Sequence, residues 1–483
     1  MFDLASRLAG HSTATALLEG DSRVSYAELS ERVLGTAGAL HARGLERGTR
    51  VVVLGDPTAD GVVAYLGIQA AGMLPVMLSP RSPLAELERR YDEVSPALSL
   101  VACAGECAVP TNSESFRPAG SSAVDFPVLG ADPALAAAYH VARDDAAVVL
   151  YTSGVSGLPK PVVLTYGNIS ATRAGLVAAP GAGLDPATVA YAGLPIAHVF
   201  GLNSVVGTVL SAGGKLVLHT GFDPHAVAEQ IARHRVTALS VVPLMWKALA
   251  ATGDRELFAT VARATYSAAP MPRSVLEAVR EMLGVEVAGG FGLTETSGTI
   301  CHDDPTQPHP GTVGFALGDT EVRVVDDGED ALPGDTGEVW VRGPSVARRY
   351  LDGTAVDLAD DGWLRTGDVG MFDDEGRLDV VDRQKDVINV SGFNVSPAEV
   401  EVALELHPGV STSVVVGDVE DDHEVVVAHV VPRPGATLTE AELVAHCRDQ
   451  LSRYKVPTHV FLHRELPVTE SGKAVRRLLG RTA

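Results

Sequence analysis

An α/β fold is predicted by three features of this chain. Short β-type apolar runs alternate with helix-period segments from residue 24 to residue 293, as crossover units on a mainly parallel sheet require. From about Gly311 the texture changes to short alternating runs of the kind that form hairpins. The tail beyond Lys385, roughly a hundred residues long, carries its own helix and strand patterns and is domain-sized. The architecture expected is a large N-terminal domain of parallel α/β sheets over residues 1–384, with a small β subdomain at about 311–384, and a small α+β C-terminal domain over 385–483.

Each element follows from local pattern. Residues 24–30 lead into a helical stretch, 51–54 read as a strand, 61–71 as a helix and 74–78 as a strand. Residues 103–141 are rich in Ala, Pro, Ser and Gly, carry little periodicity and read as irregular structure. Residues 191–202 read as a strand, a turn holding His198 and then a helix. A strand at 213–219, a helix at 224–234 and a strand at 236–243, stopped by Pro243, come next. The unit repeats through 264–270, a helix at 274–283 and 285–295. In open α/β sheets ligands gather beyond the carboxyl ends of strands, and both 268–270 and 290–295 lie at such ends. Residues 321–325 and 337–342 read as hairpin strands, and the tail holds helices at 396–406 and 440–453 with a strand at 425–431.

Composition narrows the partners. With 46% apolar and 20% charged residues the chain reads as a soluble globular protein. A formal net charge of −23 argues against nucleic acid and anionic membrane surfaces. It says little about one polyanionic ligand, because screening lets local cations outweigh the global sum. The N-terminus has an early acid and no apolar core of signal-peptide length. No stretch approaches the ~18–20 apolar residues of a membrane span. Four cysteines are too few for a disulfide framework, and Cys103 and Cys107 have no neighbouring His or Cys cluster to complete a metal site. Reduced thiols and a cytoplasmic location are expected.

The stretch from Tyr151 to Lys160 concentrates chemistry. It follows the apolar run 146–150 and packs Gly154, Gly157, Thr152, Ser153, Ser156 and Lys160 into ten positions. Glycines let backbone N–H groups turn onto an anion, hydroxyls add donors and the lysine adds a point charge. That composition suits a polyphosphate cradle; a surface loop between two strands is the other reading. It differs from a Walker A loop, since Pro159 stands where that motif has the glycine before its lysine. Proline biases Leu158 toward extended conformations, so Lys160 is expected on a stretched loop rather than opening a helix.

With these residues in place, the chain from about Val24 to Arg476 resembles the adenylate-forming superfamily in its acyl-CoA synthetase branch. Seven motifs carry the resemblance in the family's order: the phosphate loop 152–160, the histidine turn 195–201, the glutamate loop 290–295, residues 337–350, Thr366-Gly367-Asp368, the hinge segment 383–392, and 469–473 with Arg476. The resemblance implies ATP-dependent activation of a carboxylic acid to an acyl-adenylate, then transfer to the thiol of coenzyme A, with Mg²⁺ as the metal. It also implies that the C-terminal domain is mobile, turning about Lys385 between the two half-reactions.

Site residues are implied in the same way. Thr152, Ser153, Ser156 and Lys160 would hold the β- and γ-phosphates, Thr294 the α-phosphate and Glu295 the metal. Asp368 would accept from both ribose hydroxyls with Arg383 assisting. Phe291, between Gly290 and Gly292, would stack on adenine beside Ala268, Ala269 and Pro270. Lys473 would bridge the α-phosphate and the acid during adenylation only, and the face at Asn389 and Gly392 would admit the pantetheine arm. Taken singly, Asp368 also reads as a turn cap, Glu295 as a loop acid and Lys473 as an exposed cation.

Two residues depart from the family pattern: Val155 replaces a usual threonine and Pro161 a usual glycine, which predicts weaker β/γ-phosphate binding. Amino-acid-activating relatives carry an aspartate where Val199 stands, and an ammonium buried against valine would be unpaired, so an amino acid substrate is disfavoured. His198, Val199, Phe200, Trp246, Ala268 and Gly289 are expected at the acyl pocket, with a medium or long aliphatic acid favoured and an aryl acid next. The rival acceptor is the phosphopantetheine of an acyl carrier protein, expected to act in trans. A nucleotide- or acyl-binding protein without turnover is the non-enzymatic rival.

Overall fold

The computed structural model describes residues 13–105, 110, 115–116, 141–152, 159–181, 183–269, 271, 273–304, 307, 309–383, 388–390, 393–420, 423–451, 453–468 and 474–479. Two large sheets dominate the N-terminal part. In the first, parallel strands Ala146–Tyr151, Leu74–Leu78, Arg50–Gly55, Leu98–Ala102 and Ser115–Phe116 lie side by side. Pro161–Thr165 joins its edge antiparallel to Ala146–Tyr151, and Arg349–Tyr350 adds outside it. In the second, Val287–Leu293, Arg263–Tyr266, Ala238–Val241, Val189–Ala192, Lys215–Leu218 and Thr15–Glu19 run parallel, with antiparallel strands at both edges.

Helix Ala59–Ala70 lies between the sheets, packing on Arg50–Gly55, Leu74–Leu78 and Leu98–Ala102 on one side and on Thr15–Glu19 on the other. Nearly every residue of it is buried, which is why its sequence is apolar all round instead of amphipathic. Thr58 caps its start by accepting from Gly61 N. Helix Tyr26–Ala42 beside it opens with a full capping box, Ser25 and Glu28 each satisfying the other's backbone N–H.

Strand Ala238–Val241 stops before Pro243, which becomes the first residue of helix Pro243–Ala250. The segment after His198 is a π-helix, Phe200–Gly207, that continues as α-helix Thr208–Ser211; the helix expected there forms with a wider turn. Most of residues 103–141, expected to be irregular, lie outside the described residues, and Ser115–Phe116 within them is a short strand.

The β subdomain is a five-stranded antiparallel sheet built from Glu321–Asp326, Glu329–Asp330, Gly337–Arg342, Leu364–Phe372 and Leu378–Arg383. It abuts the second large sheet where Val313 N donates to Leu378 O and Leu378 N to Gly314 O, both at 2.8 Å. The boundary expected at Lys385 falls outside the described residues. Beyond it, the long hairpin Val410–Glu420 and His423–Pro432 takes His459–Leu462 as a parallel third strand. Helices Pro397–Glu405 and Glu440–Gln450 pack on one face of that small domain. No described helix is long and apolar enough to cross a membrane.

His429 sits fully buried in this small sheet, its Nδ1 2.9 Å from His463 Nε2 and its ring stacked on Phe461. Burial first, and the neighbouring His463 second, push its pKa down to about 4. An exposed histidine titrates near 6.5, so between those values the unfolded chain binds the extra proton and the folded chain does not. Stability should therefore fall as pH drops from about 6.5 to about 4. Urea unfolding of the C-terminal domain across that window should show a weaker pH slope in His429→Gln than in the parent.

Candidate active site

Several of the predicted residues that the structure describes follow the ends of the parallel strands. Strand Arg263–Tyr266 runs out at Ser267 and Ala268, and its neighbour Val287–Leu293 runs on into the turn 294–297. Val189–Ala192, in the same parallel set, leads into the histidine turn. Ala268 holds φ 76°, a left-handed conformation that costs a non-glycine residue about 1–2 kcal/mol. Such strain is maintained where surrounding structure over-determines it, as at ligand-facing turns.

Thr294 and Glu295 open the turn that closes the hairpin of Val287–Leu293 with Gly298–His302. Gly292 makes that hairpin possible: a Cβ there would lie 1.9 Å from Gly298 O. Thr296 is fully buried and ties the turn to itself, accepting from Leu293 N and donating to Gly298 O. Ser297, at φ 63°, donates to Ser345 O at 2.7 Å, and Glu295 O accepts from Ala347 N at 2.7 Å. Phe291 is buried in the same hairpin.

The phosphate-loop segment is the connection of a second hairpin. Tyr151 pairs with Pro161, and the loop base is closed by Thr152 N donating to Lys160 O and Lys160 N donating to Thr152 Oγ1, both 3.0 Å. Lys160 therefore leads into a strand, as its proline-flanked sequence requires. Its Nζ lies 5.0 Å from the centre of the Tyr350 ring, within cation–π range. The Tyr350 hydroxyl donates to Glu295 Oε1 at 3.3 Å. The lysine of one hairpin and the acid of the other thus meet across a single tyrosine. Burial, and then the Glu295 charge, hold the Tyr350 phenol well above its ordinary value, so it stays a donor.

Tyr350 was outside the predicted site, although it ends one of the motifs. Two further residues also lacked a sequence signal. Arg173, 4% exposed, donates through Nε to Asn203 Oδ1 at 2.6 Å, and Asn203 Nδ2 donates to Ser297 O at 2.6 Å. The π-helix is thereby tied to the glutamate turn, with a second tie from Thr299 N to Ser204 Oγ at 3.0 Å.

Asp368 is buried, with its backbone directly opposite Arg383 on the paired strand. The Thr366 hydroxyl accepts from Asp368 N and donates to Val339 O, fixing that turn. Ser153, Gly154, Ser156, Gly157, Pro270, Lys385, Gly392 and Lys473 lie outside the described residues, as do the side chains of Arg383 and Asn389.

A narrow cleft opens between the second sheet and the π-helix. Phe200, Ser204 and Thr208 form one wall, with Ala238, Ser240, Arg263, Thr265 and Tyr266 opposite; Ser267, Gly290, Thr299 and His302 lie at the end toward the glutamate turn. Of the residues expected around an acyl group, Phe200 lines this cleft. Trp246 does not: it is fully buried and spends its indole N–H on Thr265 O at 2.9 Å, so it backs the wall as core. Gly289 is likewise absent from the lining; a Cβ there would lie 2.4 Å from Thr312 O, so this glycine serves close backbone packing. His198, Val199 and Ala268 are half-buried and, like Trp246 and Gly289, are absent from the lining.

Residues 4–351 match the family model of the AMP-binding enzymes, and 399–473 that of the AMP-binding enzyme C-terminal domain. The chain therefore belongs to the AMP-binding enzyme family, in the acyl-CoA synthetase branch of the adenylate-forming superfamily. It is an AMP-forming acid–thiol ligase. A 2-succinylbenzoate–CoA ligase of Bacillus licheniformis is 31% identical over 96% of this chain and 96% of its own length. A feruloyl-CoA synthase of an Amycolatopsis species is 33% identical, covering 98% of this chain and 96% of its own. The solved O-succinylbenzoate coenzyme A synthetase of Bacillus subtilis, in complex with ATP and magnesium ion, superposes with a TM-score of 0.85 at 28% identity, covering 99% of both chains.

Tyr350→Phe keeps the ring beneath Lys160 and removes the hydrogen bond to Glu295. It is expected to lower stability by about 1 kcal/mol in denaturant unfolding. Tyr350→Ala, which also removes the ring contact, should cost measurably more.

Proposed function

We propose that this chain uses MgATP to activate a non-amino carboxylic acid as its acyl-adenylate and then passes the acyl group to the thiol of coenzyme A. The observation that carries the reading is the meeting of Lys160, Tyr350 and Glu295 at the base of the phosphate hairpin. A cation and an oxygen ligand on one support suit a metal–polyphosphate. Glu295 would supply a protein oxygen to the metal, and no group of three or more metal-ligating side chains occurs among the described residues. That fits Mg²⁺, which keeps its waters and takes phosphate oxygens for the remaining positions. When bound, the metal would supply neutralisation of phosphate charge.

In this reading Lys160, with the hydroxyls of Thr152, Ser153 and Ser156, holds the β- and γ-phosphates, and Thr294 donates to the α-phosphate. Asp368 accepts from the ribose hydroxyls beside Arg383, while Phe291 and 268–270 enclose adenine. Lys473 draws the acid's carboxylate to the α-phosphorus. One carboxylate oxygen forms a bond to phosphorus as the bond to the β-phosphate bridge breaks, and pyrophosphate leaves with the electron pair. Positioned cations and donors offset the charge that develops. Rotation about Lys385 then replaces Lys473 with the Asn389–Gly392 face. The thiol sulfur attacks the acyl carbon, the thiol proton is released, and AMP departs with the electrons of the carbon–oxygen bond. Val199, half-buried, offers no charge to an α-ammonium.

Acid-dependent pyrophosphate release from MgATP, measured with and without coenzyme A, tests the reading. Continuous turnover that requires coenzyme A is expected. Release that stops near one equivalent per enzyme despite coenzyme A would assign the acceptor to a carrier protein instead. Lys473→Ala should lose pyrophosphate release by about three orders of magnitude while still forming thioester from a supplied acyl-adenylate. Pro161→Gly restores a backbone donor beside Lys160 and should lower the KM for MgATP several-fold; an unchanged KM would clear Pro161 of any part in phosphate binding.

A further inference from the structure

The cleft is a channel whose far end is cationic. Ala238 pairs with Arg263 and Ser240 with Thr265 on neighbouring parallel strands, and all four line the cleft, so it runs along the strands on one face of the sheet. From the row of Arg263 to Ser267 at the glutamate-turn end is four residues of extended chain, about 13 Å. Gly181, Leu184 and Arg263 lie together at the opposite end. The Arg263 guanidinium lies against Gly183, where a Cβ would come 2.8 Å from Nη2 and 3.0 Å from Nε.

Among the described residues the Arg263 side chain has no ion pair and no hydrogen bond. The acid of the adjoining loop, Asp185, is committed elsewhere: its Oδ1 accepts from Ala187 N, Thr188 N and Thr188 Oγ1. Hydroxyls also occur along the channel, with Thr265 Oγ1 donating to Ser240 Oγ at 2.7 Å and Thr299 Oγ1 to Ser204 Oγ at 3.2 Å. An apolar acyl tail filling this channel would strip water from an unpaired guanidinium and give nothing in return, which is costly. A carboxylate at that end would take the planar fork in two charge-assisted hydrogen bonds.

We propose that the acid activated here carries a second carboxylate at the end of its tail, and that Arg263 receives it. The inference rests on the ligase reading above and names the substrate class of the same site. It replaces the plain aliphatic chain suggested by residue types alone. One carboxylate lies at the reactive end, and the other is held a channel's length away. Arg263 is thus a specificity residue that never touches the reacting atoms.

The test is kcat/KM for pyrophosphate release in the presence of coenzyme A. Adipic, suberic, sebacic and 4-carboxycinnamic acids are set against hexanoic, octanoic, decanoic and cinnamic acids. At least one dicarboxylic acid should exceed its monocarboxylic counterpart by about 100-fold, since a site built for a polar group rejects the analogue lacking it. Arg263→Met should remove that preference while leaving the monocarboxylic acids within a few-fold, and Arg263→Lys should restore part of it. Equal use of both series, with a ratio unmoved in either variant, overturns the inference and leaves the ligase reading intact. No pyrophosphate from any of the eight acids overturns the dicarboxylate assignment as well. Thermal stabilisation by MgATP in the same samples then shows whether the nucleotide site stands or the ligase reading falls with it.

Discussion

The short segment from Pro344 to Tyr350 holds the site together. Asn168, at the start of helix Tyr166–Ala178, donates through Nδ2 to Pro344 O and Val346 O. Ser297 donates to Ser345 O, and Ala347 N donates to Glu295 O. Arg349 and Tyr350 then pair with Val163 and Val162 just beyond the phosphate loop. One strip of chain is therefore bonded to the hairpin that bears Glu295 and to the hairpin that bears Lys160. The two hairpins belong to different sheets, and this strip adds direct bonds to both where their tips approach. Every one of these bonds uses a backbone group of the strip, so the strip's hold does not depend on its own side-chain rotamers.

The π-helix performs a related task for the cleft beside the second sheet. Its wider turn lets Thr208 N reach Asn203 O and sets Phe200, Ser204 and Thr208 along the channel wall. Meanwhile Asn203 faces inward to Arg173 and Ser297. A buried guanidinium facing a neutral amide is an uncommon pairing, and removing either partner would leave a buried polar group unsatisfied. The channel wall and the glutamate turn are thus coupled through a few short hydrogen bonds.

Much of this was legible from residue types and order. The alternation of strands and helices, the antiparallel subdomain and the tail all formed where pattern placed them, because burial on one face or two leaves a period in the sequence. The Tyr151–Lys160 stretch stood out because glycine, hydroxyl and lysine rarely cluster otherwise. Tyr350, Arg173 and Asn203 were not legible. Each acts through a partner distant in sequence, and a lone tyrosine, arginine or asparagine leaves no local signature. Trp246 and Gly289 were misplaced for the converse reason. A bulky residue and a small one each look like pocket lining until the packing shows that one backs the wall and the other relieves a backbone contact.

What this chain's sequence determined by itself is the fold class and the family, since those depend on periodicity and on residue types fixed within short motifs. What only the tertiary structure decided is the cleft between the second sheet and the π-helix, with Arg263 at its far end. Arg263 opens a strand and reads as an ordinary exposed cation at the start of a β-run. Pairing of Ala238 with Arg263 and Ser240 with Thr265 puts their side chains on one face, and the π-helix covers that face to form the channel. Whether a strand residue faces solvent, core or cavity depends on what another element lays over it. That covering is a long-range fact, made by the fold and absent from any window of the sequence.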